Sequence, residues 1–405
     1  MNNRLDTLHL YPFERLNELL AGVTPSSNHS FIPLSLGEPK HDTADFLIDL
    51  LTDEQIIKNG VGTYPPTRGT QELRTAIADF INQRFNLTEH PLDPESHVLP
   101  VNGTREALFS FAQAVLDDRD DSVTLMPNPF YQIYEGAALL AGSQPEYIPC
   151  HVDSQFHPDY SQVSEETWQH CKLLYICTPG NPAGAVMSNA DMQYLIRLSD
   201  TYDFVIASDE CYSEIYLDES KPPAGLLQAA SAMGRADYKN CMAFNSLSKR
   251  SNLPGLRSGY VAGDANLISR FLLYRTYHGS AMPVHTQQVS TAAWQDEEHV
   301  RANRDLYRAK YTAVLDILAP VWPMEAPPAS FYLWPETPIN DLDFTKQLLE
   351  HTNIKVLPGS FLSRTVDGVN PGENRVRMAL VATVDECVEA ANRIREFVLQ
   401  QGYFR

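Results

Sequence analysis

The sequence predicts an α/β fold in which helices cover both faces of a mainly parallel sheet. Short apolar segments rich in β-branched or aromatic residues alternate with amphipathic segments of helical periodicity. The apolar segments are nearly continuous, which is typical of strands that are buried on both faces. A chain of 405 residues is also too long for one ordinary core, so we expect two domains or one large domain with an appendage.

Strands and helices alternate through the middle of the chain. The predicted strands are "HVLPV" at 97–101 and residues 122–127, 172–179, 203–210 and 239–246. The predicted helices between them are residues 70–85, 104–116 and 189–202. Alternation of this kind places successive strands side by side in one parallel sheet.

The character of the sequence changes near residue 296. A long helix is predicted over 297–318, a proline-rich break follows, and a last helix with Thr383 as its N-cap is predicted over 383–401. We expect a large domain at 45–295 and a small C-terminal domain at 296–405. Residues 1–44 are expected to form an arm and part of the small domain.

The composition indicates a soluble globular protein and argues against nucleic acid and membranes as partners. Hydrophobic residues make up 43% of the chain, and the formal net charge is −20, the wrong sign for binding phosphate backbones. No apolar run approaches the roughly 18 residues of a membrane helix, and the N-terminus lacks a secretory signal. The six cysteines show no metal-binding spacing. We expect a reduced, cytoplasmic protein without a metal site.

Ligands of open α/β sheets bind beyond the carboxyl ends of the strands, so residues after each strand are candidates. Gly103 and Thr104 begin a helix, where N–H groups suit a phosphate, although a simple helix cap explains Thr104 equally well. Tyr131 follows the next strand and belongs either to a stacking site or to the core. Asn181, in "TPGNPAGAV", either presents its amide from a turn or belongs to an ordinary loop.

Ionisable residues follow the next two strands. Asp209 stands at the edge of the core, where a carboxylate needs a partner, so it is either a helix cap or a counter-ion. Tyr212 lies three residues later, and Cys211 between them is interpreted as a small buried hydrophobe. The stretch "FNSLSKRSNLPGLRSGY" then supplies Ser246, Ser248, Lys249 and Arg257.

Together these side chains suit pyridoxal 5'-phosphate. Helix-start N–H groups, serines and an arginine suit its phosphate, and a carboxylate keeps its pyridine nitrogen protonated. Asn and Tyr donors suit the phenolic oxygen, and a lysine suits the aldehyde. Each feature alone is common, and the prediction depends on their number and order.

The sequence resembles the fold-type I pyridoxal-phosphate aminotransferases of class I/II, from "LSLGEP" (34–39) to "NRVRMALVAT" (374–383). The resemblance implies a large domain with a mostly parallel sheet of the seven-stranded type and a smaller α+β C-terminal domain. It also implies a homodimer with shared active sites. One departure is visible: "NPAG" has Ala183 where the family often has a hydroxyl residue, while Asn181 and Gly184 remain.

The resemblance assigns roles to the strand-end residues. Lys249 is similar to the Schiff-base lysine that also moves the proton, and Asp209 is similar to the partner of the ring nitrogen. Asn181 and Tyr212 resemble the pair at the phenolic oxygen, and Tyr131 resembles the stacking aromatic. The positions similar to the phosphate site are Gly103, Thr104, Arg105, Ser246, Ser248 and Arg257.

Other residues resemble substrate ligands or residues shared between subunits. Arg377 is similar to the arginine that binds the substrate α-carboxylate, a role that suits a planar guanidinium. Gly37 and Asn181 are expected near the same carboxylate. Tyr64 resembles the tyrosine lent to the phosphate site of the neighbouring subunit, and Ser280 is a second candidate for such a role.

Within the family, "LPVNGTREALF", "TPGNPAGAV" and "RMALVATVDECVEAANRI" are similar to forms found in enzymes that transfer the amino group of N-succinyl-LL-diaminopimelate to 2-oxoglutarate. Both substrates carry a distal carboxylate, for which Arg68, Arg275 and His278 are candidates. Aspartate, aromatic, kynurenine and alanine aminotransferases share the core motifs, and a β-lyase begins with the same chemistry. A regulator with an aminotransferase-like domain is disfavoured, because the resemblance begins near Leu34 and the net charge is negative.

Overall fold

The structure, a computed structural model, describes residues 1–117 and 121–404 of the chain. Its strands are β1 (Ile32–Pro33), β2 (Val98–Val101), β3 (Val123–Asn128), β4 (Gln144–Pro149), β5 (Cys171–Cys177), β6 (Val205–Asp209), β7 (Cys241–Ser246), β8 (Gly259–Gly263), β9 (Tyr332–Leu333), β10 (Ile354–Lys355), β11 (Leu357–Pro358) and β12 (Val376–Ala379). Its α-helices are α1 (Pro12–Leu20), α2 (Asp45–Thr52), α3 (Glu54–Val61), α4 (Gln71–Arg84), α5 (Thr104–Val115), α6 (Ile133–Ala141), α7 (Glu165–His170), α8 (Asn189–Tyr202), α9 (Leu226–Ala232), α10 (Leu247–Arg250), α11 (Ala265–His278), α12 (Val284–Gln295), α13 (Glu298–Leu318), α14 (Asp341–Thr352) and α15 (Val384–Gln401).

A seven-stranded sheet forms the centre of the fold, in the order β2-β8-β7-β6-β5-β3-β4. The pairs β3–β4, β3–β5, β5–β6 and β6–β7 are parallel, whereas β8 is antiparallel to β7 and β2. The mostly parallel α/β fold is therefore confirmed. The sequence analysis missed β4, whose two prolines and partly exposed residues weaken the strand signal, and β8, whose ends are Gly259 and Gly263.

Both faces of this sheet are buried, as the continuous apolar strands predicted. In β7, Cys241 and Ala243 pack in one core with α4, α8, α9 and α12, while Met242 and Phe244 pack in another with α5, α6 and α11. Successive strand residues point to opposite faces, so each strand must be apolar throughout to serve both cores.

The C-terminal part has its own core between α13, α14, α15 and short strands. The predicted helices at 297–318 and 383–401 are present as α13 and α15. Thr383 is the N-cap of α15 and forms a capping box with Glu386. The first residues of the chain reach this part, since β1 pairs with β10. The domain boundaries near residues 45 and 296 stay a prediction.

Three further features concern the described residues as a whole. Within 1–117 and 121–404, no helix is both long and apolar enough to cross a membrane. In the same ranges, no group of three or more His, Cys, Asp or Glu side chains is arranged to hold a metal ion. The six cysteines are free thiols, and all but Cys177 are buried.

Candidate active site

A cavity of about 530 Å³ lies beyond the carboxyl ends of β5, β6 and β7. The predicted site residues that line it are Gly37, Thr104, Arg105, Tyr131, Asn181, Asp209, Tyr212, Ser246, Ser248, Lys249, Arg257 and Arg377. Residues that follow different strands of a parallel sheet meet at one edge, which is why positions so far apart in sequence come together. Of the other predicted residues, Gly103 lies directly behind the lining, whereas Tyr64 does not line the cavity of its own chain.

Lys249 lies on α10, the short helix that follows β7, and its amine points into the cavity. Its Nζ donates a hydrogen bond to Gly37 O at 2.5 Å and lies 5.4 Å from the centre of the Phe331 ring. Burial lowers the pKa of Lys249 to about 8. A larger fraction of the amine is therefore uncharged near neutral pH than for an ordinary lysine, which favours nucleophilic and basic behaviour.

Asp209, at the end of β6, is a buried carboxylate. Its Oδ2 accepts from the Tyr134 hydroxyl at 2.7 Å, and its Oδ1 accepts from Cys211 N at 3.2 Å. Burial raises the pKa of Asp209. Among the described residues no lysine or arginine lies within ion-pair distance of it, so the site suits a bound cationic group. The sequence analysis missed Tyr134, although its spacing of three from Tyr131 at a helix start was a usable signal.

Arg377, on β12, is a buried guanidinium with no carboxylate within ion-pair distance in the described part of the chain. It donates to Asn181 Oδ1 at 3.0 Å and to Ser35 O at 2.9 Å, and its Cζ lies 4.4 Å from the centre of the Tyr332 ring. Its buried Nε has no hydrogen-bond partner among the described residues. An unpaired guanidinium that lines a cavity is suited to bind a carboxylate from outside.

The other end of the cavity is suited to an anion. Gly103 has φ +85°, and a Cβ there would lie 2.5 Å from the Arg257 guanidinium, so only glycine allows this close approach. Arg257 donates to Pro254 O at 2.8 Å. The hydroxyl of Thr104, the first residue of α5, lies 3.0 Å from Cys211 Sγ. A helix N-terminus, a guanidinium and hydroxyls thus surround one space.

Tyrosines lie between the two ends. The Tyr212 hydroxyl lies 3.0 Å from the Tyr332 hydroxyl, and burial raises the pKa of Tyr212, so the phenol stays protonated. Tyr131 borders the cavity in a T-shaped contact with Tyr134, 5.8 Å between ring centres. The sequence analysis missed Tyr332, which lies in a two-residue strand without a distinctive motif.

Several predicted residues lie elsewhere. Tyr64 is 98% exposed. Ser280 forms a 3.0 Å hydrogen bond with His278 Nδ1. None of the three candidates for a distal carboxylate, Arg68, Arg275 and His278, lines this cavity. The two arginines are paired with carboxylates of the chain, Arg68 with Glu95 at 3.6 Å and Arg275 with Glu106 at 2.8 Å.

The groups that line the cavity suit pyridoxal phosphate. The cavity contains a buried amine, a buried carboxylate with no lysine or arginine paired to it among residues 1–117 and 121–404, and an anion site formed by a helix N-terminus and Arg257. Those groups match the aldehyde, the protonated ring nitrogen and the phosphate of the cofactor. The fold and the cavity therefore define an α/β enzyme of the pyridoxal-phosphate type.

Comparison with known proteins gives the family. Residues 29–394 match the model of aminotransferase class I and II. The chain is 29% identical over 397 residues to LL-diaminopimelate aminotransferase of Maridesulfovibrio salexigens, covering 97% of each chain. It is 47% identical to an aminotransferase of known structure from Neisseria meningitidis, with a TM-score of 0.92 and coverage of 98% and 99%. A probable N-succinyldiaminopimelate aminotransferase from Thermus thermophilus, 24% identical with a TM-score of 0.83 and coverage of 95% and 99%, shares the fold.

The chain belongs to the class I and II aminotransferase family. It is a pyridoxal-phosphate-dependent aminotransferase that acts on amino and oxo acids. When bound, the cofactor supplies an aldehyde that carries the amino group and a ring that withdraws electrons from the reacting carbon.

Proposed function

We propose that this enzyme transfers the amino group of N-succinyl-LL-diaminopimelate to 2-oxoglutarate, in the cytoplasmic biosynthesis of diaminopimelate and lysine. Three sequence motifs resemble those of enzymes with this activity, and a relative that matches along the whole chain acts on LL-diaminopimelate according to its name. The alternatives are another class I aminotransferase, of the aspartate, aromatic, kynurenine or alanine type, and a β-lyase.

The observation that carries the substrate class is a third guanidinium in the cavity, that of Arg105, in addition to those of Arg377 and Arg257. Arg105 lies 5.2 Å from the centre of the Tyr11 ring, and both residues line the cavity. Among the described residues, no carboxylate lies within ion-pair distance of Arg105. Arg377 and Arg105 would then receive the two carboxylates of a dicarboxylic substrate, one each. The phosphate of the cofactor is the competing ligand for Arg105.

The roles of the other residues follow from their positions. Arg377, with Asn181 and the Gly37 segment beside it, orients the substrate through its α-carboxylate. As a free amine, Lys249 is placed to remove the proton from the substrate α-carbon, and it would return that proton to the aldehyde carbon of the cofactor. Asp209 would hold a positive charge at the ring nitrogen of the cofactor, and the hydrogen bond from the Tyr134 hydroxyl orients its carboxylate.

Phosphate binding is assigned to the opposite end of the cavity. Thr104, Ser246, Ser248 and Arg257 face the anion site, with Gly103 giving the close approach. Tyr131 is assigned to one face of the cofactor ring, and Tyr212 and Asn181 would donate to its phenolic oxygen. These roles follow the resemblance and the cavity lining.

We also propose a homodimer with shared active sites. Tyr64, at 98% exposure, is a large aromatic side chain that makes little contact within its own chain. Exposed Val61 and Ile57 lie near it in sequence, on α3. A dimer that places Tyr64 at the phosphate site of the partner would bury this apolar surface.

A half-reaction screen tests the substrate. The purified holoenzyme is mixed with single amino donors, and the absorption spectrum of the bound cofactor is followed during conversion to its amino form. We expect conversion by N-succinyl-LL-diaminopimelate and by glutamate. Conversion by an aromatic amino acid, kynurenine or alanine, while N-succinyl-LL-diaminopimelate and glutamate both leave the spectrum unchanged, would overturn the substrate assignment. Release of ammonia from a β-substituted donor would indicate the lyase.

The variant Arg105→Gln separates the two possible ligands of Arg105. Loss of a charged hydrogen bond to a distal carboxylate should lower kcat/KM for glutamate by roughly 10- to 100-fold, with little change for alanine and unchanged affinity for the cofactor. Arg68→Gln, which alters an exposed arginine outside the cavity, is the control. Weaker cofactor binding with equal losses for glutamate and alanine would assign Arg105 to the phosphate instead.

A further inference from the structure

The helix that carries Lys249 is held from outside by an asparagine. Helix α10 has four residues, so its last carbonyls find few partners within the helix. Asn303, a buried residue of α13, donates from Nδ2 to Lys249 O at 3.2 Å and to Arg250 O at 3.3 Å. The Asn303 side chain therefore caps the helix at the catalytic lysine itself.

His41 fixes the orientation of that asparagine. Its Nδ1 lies 2.7 Å from Asn303 Oδ1. Because Asn303 Nδ2 faces two carbonyl oxygens, Oδ1 must be the acceptor, and His41 must donate an Nδ1–H. Burial, with help from nearby Lys310, lowers the pKa of His41 to about 4, so the imidazole is neutral. The buried Nε2, which has no partner among the described residues, is then the nitrogen without a proton.

His41 also ends a segment that contacts two functional groups. In residues 35–41, Ser35 O accepts from Arg377 at 2.9 Å, and Gly37 O accepts from Lys249 Nζ at 2.5 Å. The segment has no regular secondary structure of its own. Its position therefore depends on side-chain contacts such as the one between His41 and Asn303.

A row of aromatic rings makes a second connection between His41 and Lys249. The His41 ring lies 4.6 Å from the Tyr307 ring, and Tyr307 stacks on Phe331 at 5.5 Å. Lys249 Nζ lies 5.4 Å from the centre of Phe331. Tyr307 is one helical turn beyond Asn303 on α13, so both connections start from one face of that helix.

We propose that His41 and Asn303 are positioning residues that fix the position of Lys249 relative to the segment 35–41. Neither residue lines the cavity, so neither touches cofactor or substrate. In this relative position, the amine of Lys249 and the guanidinium of Arg377 face the same bound substrate. The consequence for turnover rests on the proposed role of Lys249, whereas the mechanical coupling does not.

Three histidine variants test the rate consequence. His41→Leu removes the donor, and kcat per folded protein should fall between about 10- and 100-fold, because a small displacement of a reacting group is costly. His41→Asn keeps an N–H donor close to the position of Nδ1 and should restore kcat to within about threefold. The control is His299→Leu, since His299 Nε2 contacts Ser251 Oγ at 2.8 Å but neither Lys249 nor the segment 35–41. It should lower the melting temperature while it keeps kcat.

Amide hydrogen exchange of the apoprotein tests the coupling without any turnover. His41→Leu should increase exchange both in 35–41 and in 249–253, whereas His299→Leu should increase it in 249–253 alone. Equal loss of kcat in His41→Leu and His299→Leu, or failure of His41→Asn to restore it, would overturn the proposal. So would an increase in exchange confined to 35–41. If Lys249→Ala keeps activity, the proposed function fails, and the exchange result still decides the coupling.

Discussion

The two walls of the cavity are built differently. On one wall, Asp209 is the last residue of a buried strand of the seven-stranded sheet, and Asn181 and Lys249 lie shortly after two neighbouring strands. On the facing wall, Gly37 belongs to a segment without regular structure, and Tyr332 and Arg377 lie on short strands of a three-stranded sheet. The strand-end wall carries the proposed cofactor ligands next to the sheet, with Asn303 as an added support at Lys249, whereas the facing wall has little regular structure and depends mainly on side-chain contacts. Variants of the two walls should therefore differ in the size and kind of the loss of activity.

The largest effect is expected on the strand-end wall, from Lys249→Ala. Loss of the residue that moves the proton should lower kcat on the order of 10⁴-fold and remove the visible absorption of the lysine-bound cofactor. The control is Lys310→Met, because Lys310 is another buried lysine whose pKa burial lowers to about 8, but it lies outside the cavity. An unchanged absorption band in Lys249→Ala would contradict the assignment of the lysine.

Asp209→Asn should have the next largest effect. The amide cannot hold a positive charge at the ring nitrogen, so kcat should fall on the order of 10²- to 10³-fold, while the protein still binds the cofactor. Glu210→Gln is the matched control. Glu210 is the adjacent buried carboxylate, but it accepts from Ser208 Oγ at 2.9 Å and Leu226 N at 2.8 Å, away from the cavity. Similar losses in both variants would show that the effect comes from general destabilisation.

On the facing wall, Arg377→Lys should lower kcat/KM for amino acids by roughly 10- to 100-fold, because an ammonium cannot form the bidentate contact with a carboxylate. An amine substrate without the α-carboxylate should lose little. Arg375→Lys is the control, since Arg375 donates to Trp334 O at 3.0 Å and does not line the cavity. Equal losses for amino acids and amines would remove Arg377 from carboxylate binding.

The smallest change concerns pH. The pKa of Lys249 is lowered to about 8, and the uncharged amine is the form that reacts with the cofactor aldehyde. The rate at which the apoenzyme takes up pyridoxal phosphate should rise with pH and level off above about 8. A rate that continues to rise toward the pKa of an ordinary lysine would show that Lys249 is not held in a buried environment.

The strand-end wall was largely predictable from the sequence. Asp209 and Lys249 each follow an apolar run whose composition alone indicates a strand, and the rule that ligands bind at the carboxyl ends of strands brings them together. Tyr332, His41 and Asn303 could not be found in this way. Tyr332 lies in a two-residue strand, and His41 meets Asn303 across 262 positions of sequence. Contacts of that range leave no local pattern.

The sequence by itself determined the two-sided sheet, the long helices and the strand-end side chains, because hydrophobic periodicity and turn residues act over a few neighbours. Only the tertiary structure decided that Arg377 is held by Asn181 and Ser35, that Arg105 lines the cavity beside Tyr11, and that Arg275 is engaged by Glu106. The free energy of a buried charge depends on which groups surround it in space. Those neighbours come from distant parts of the chain.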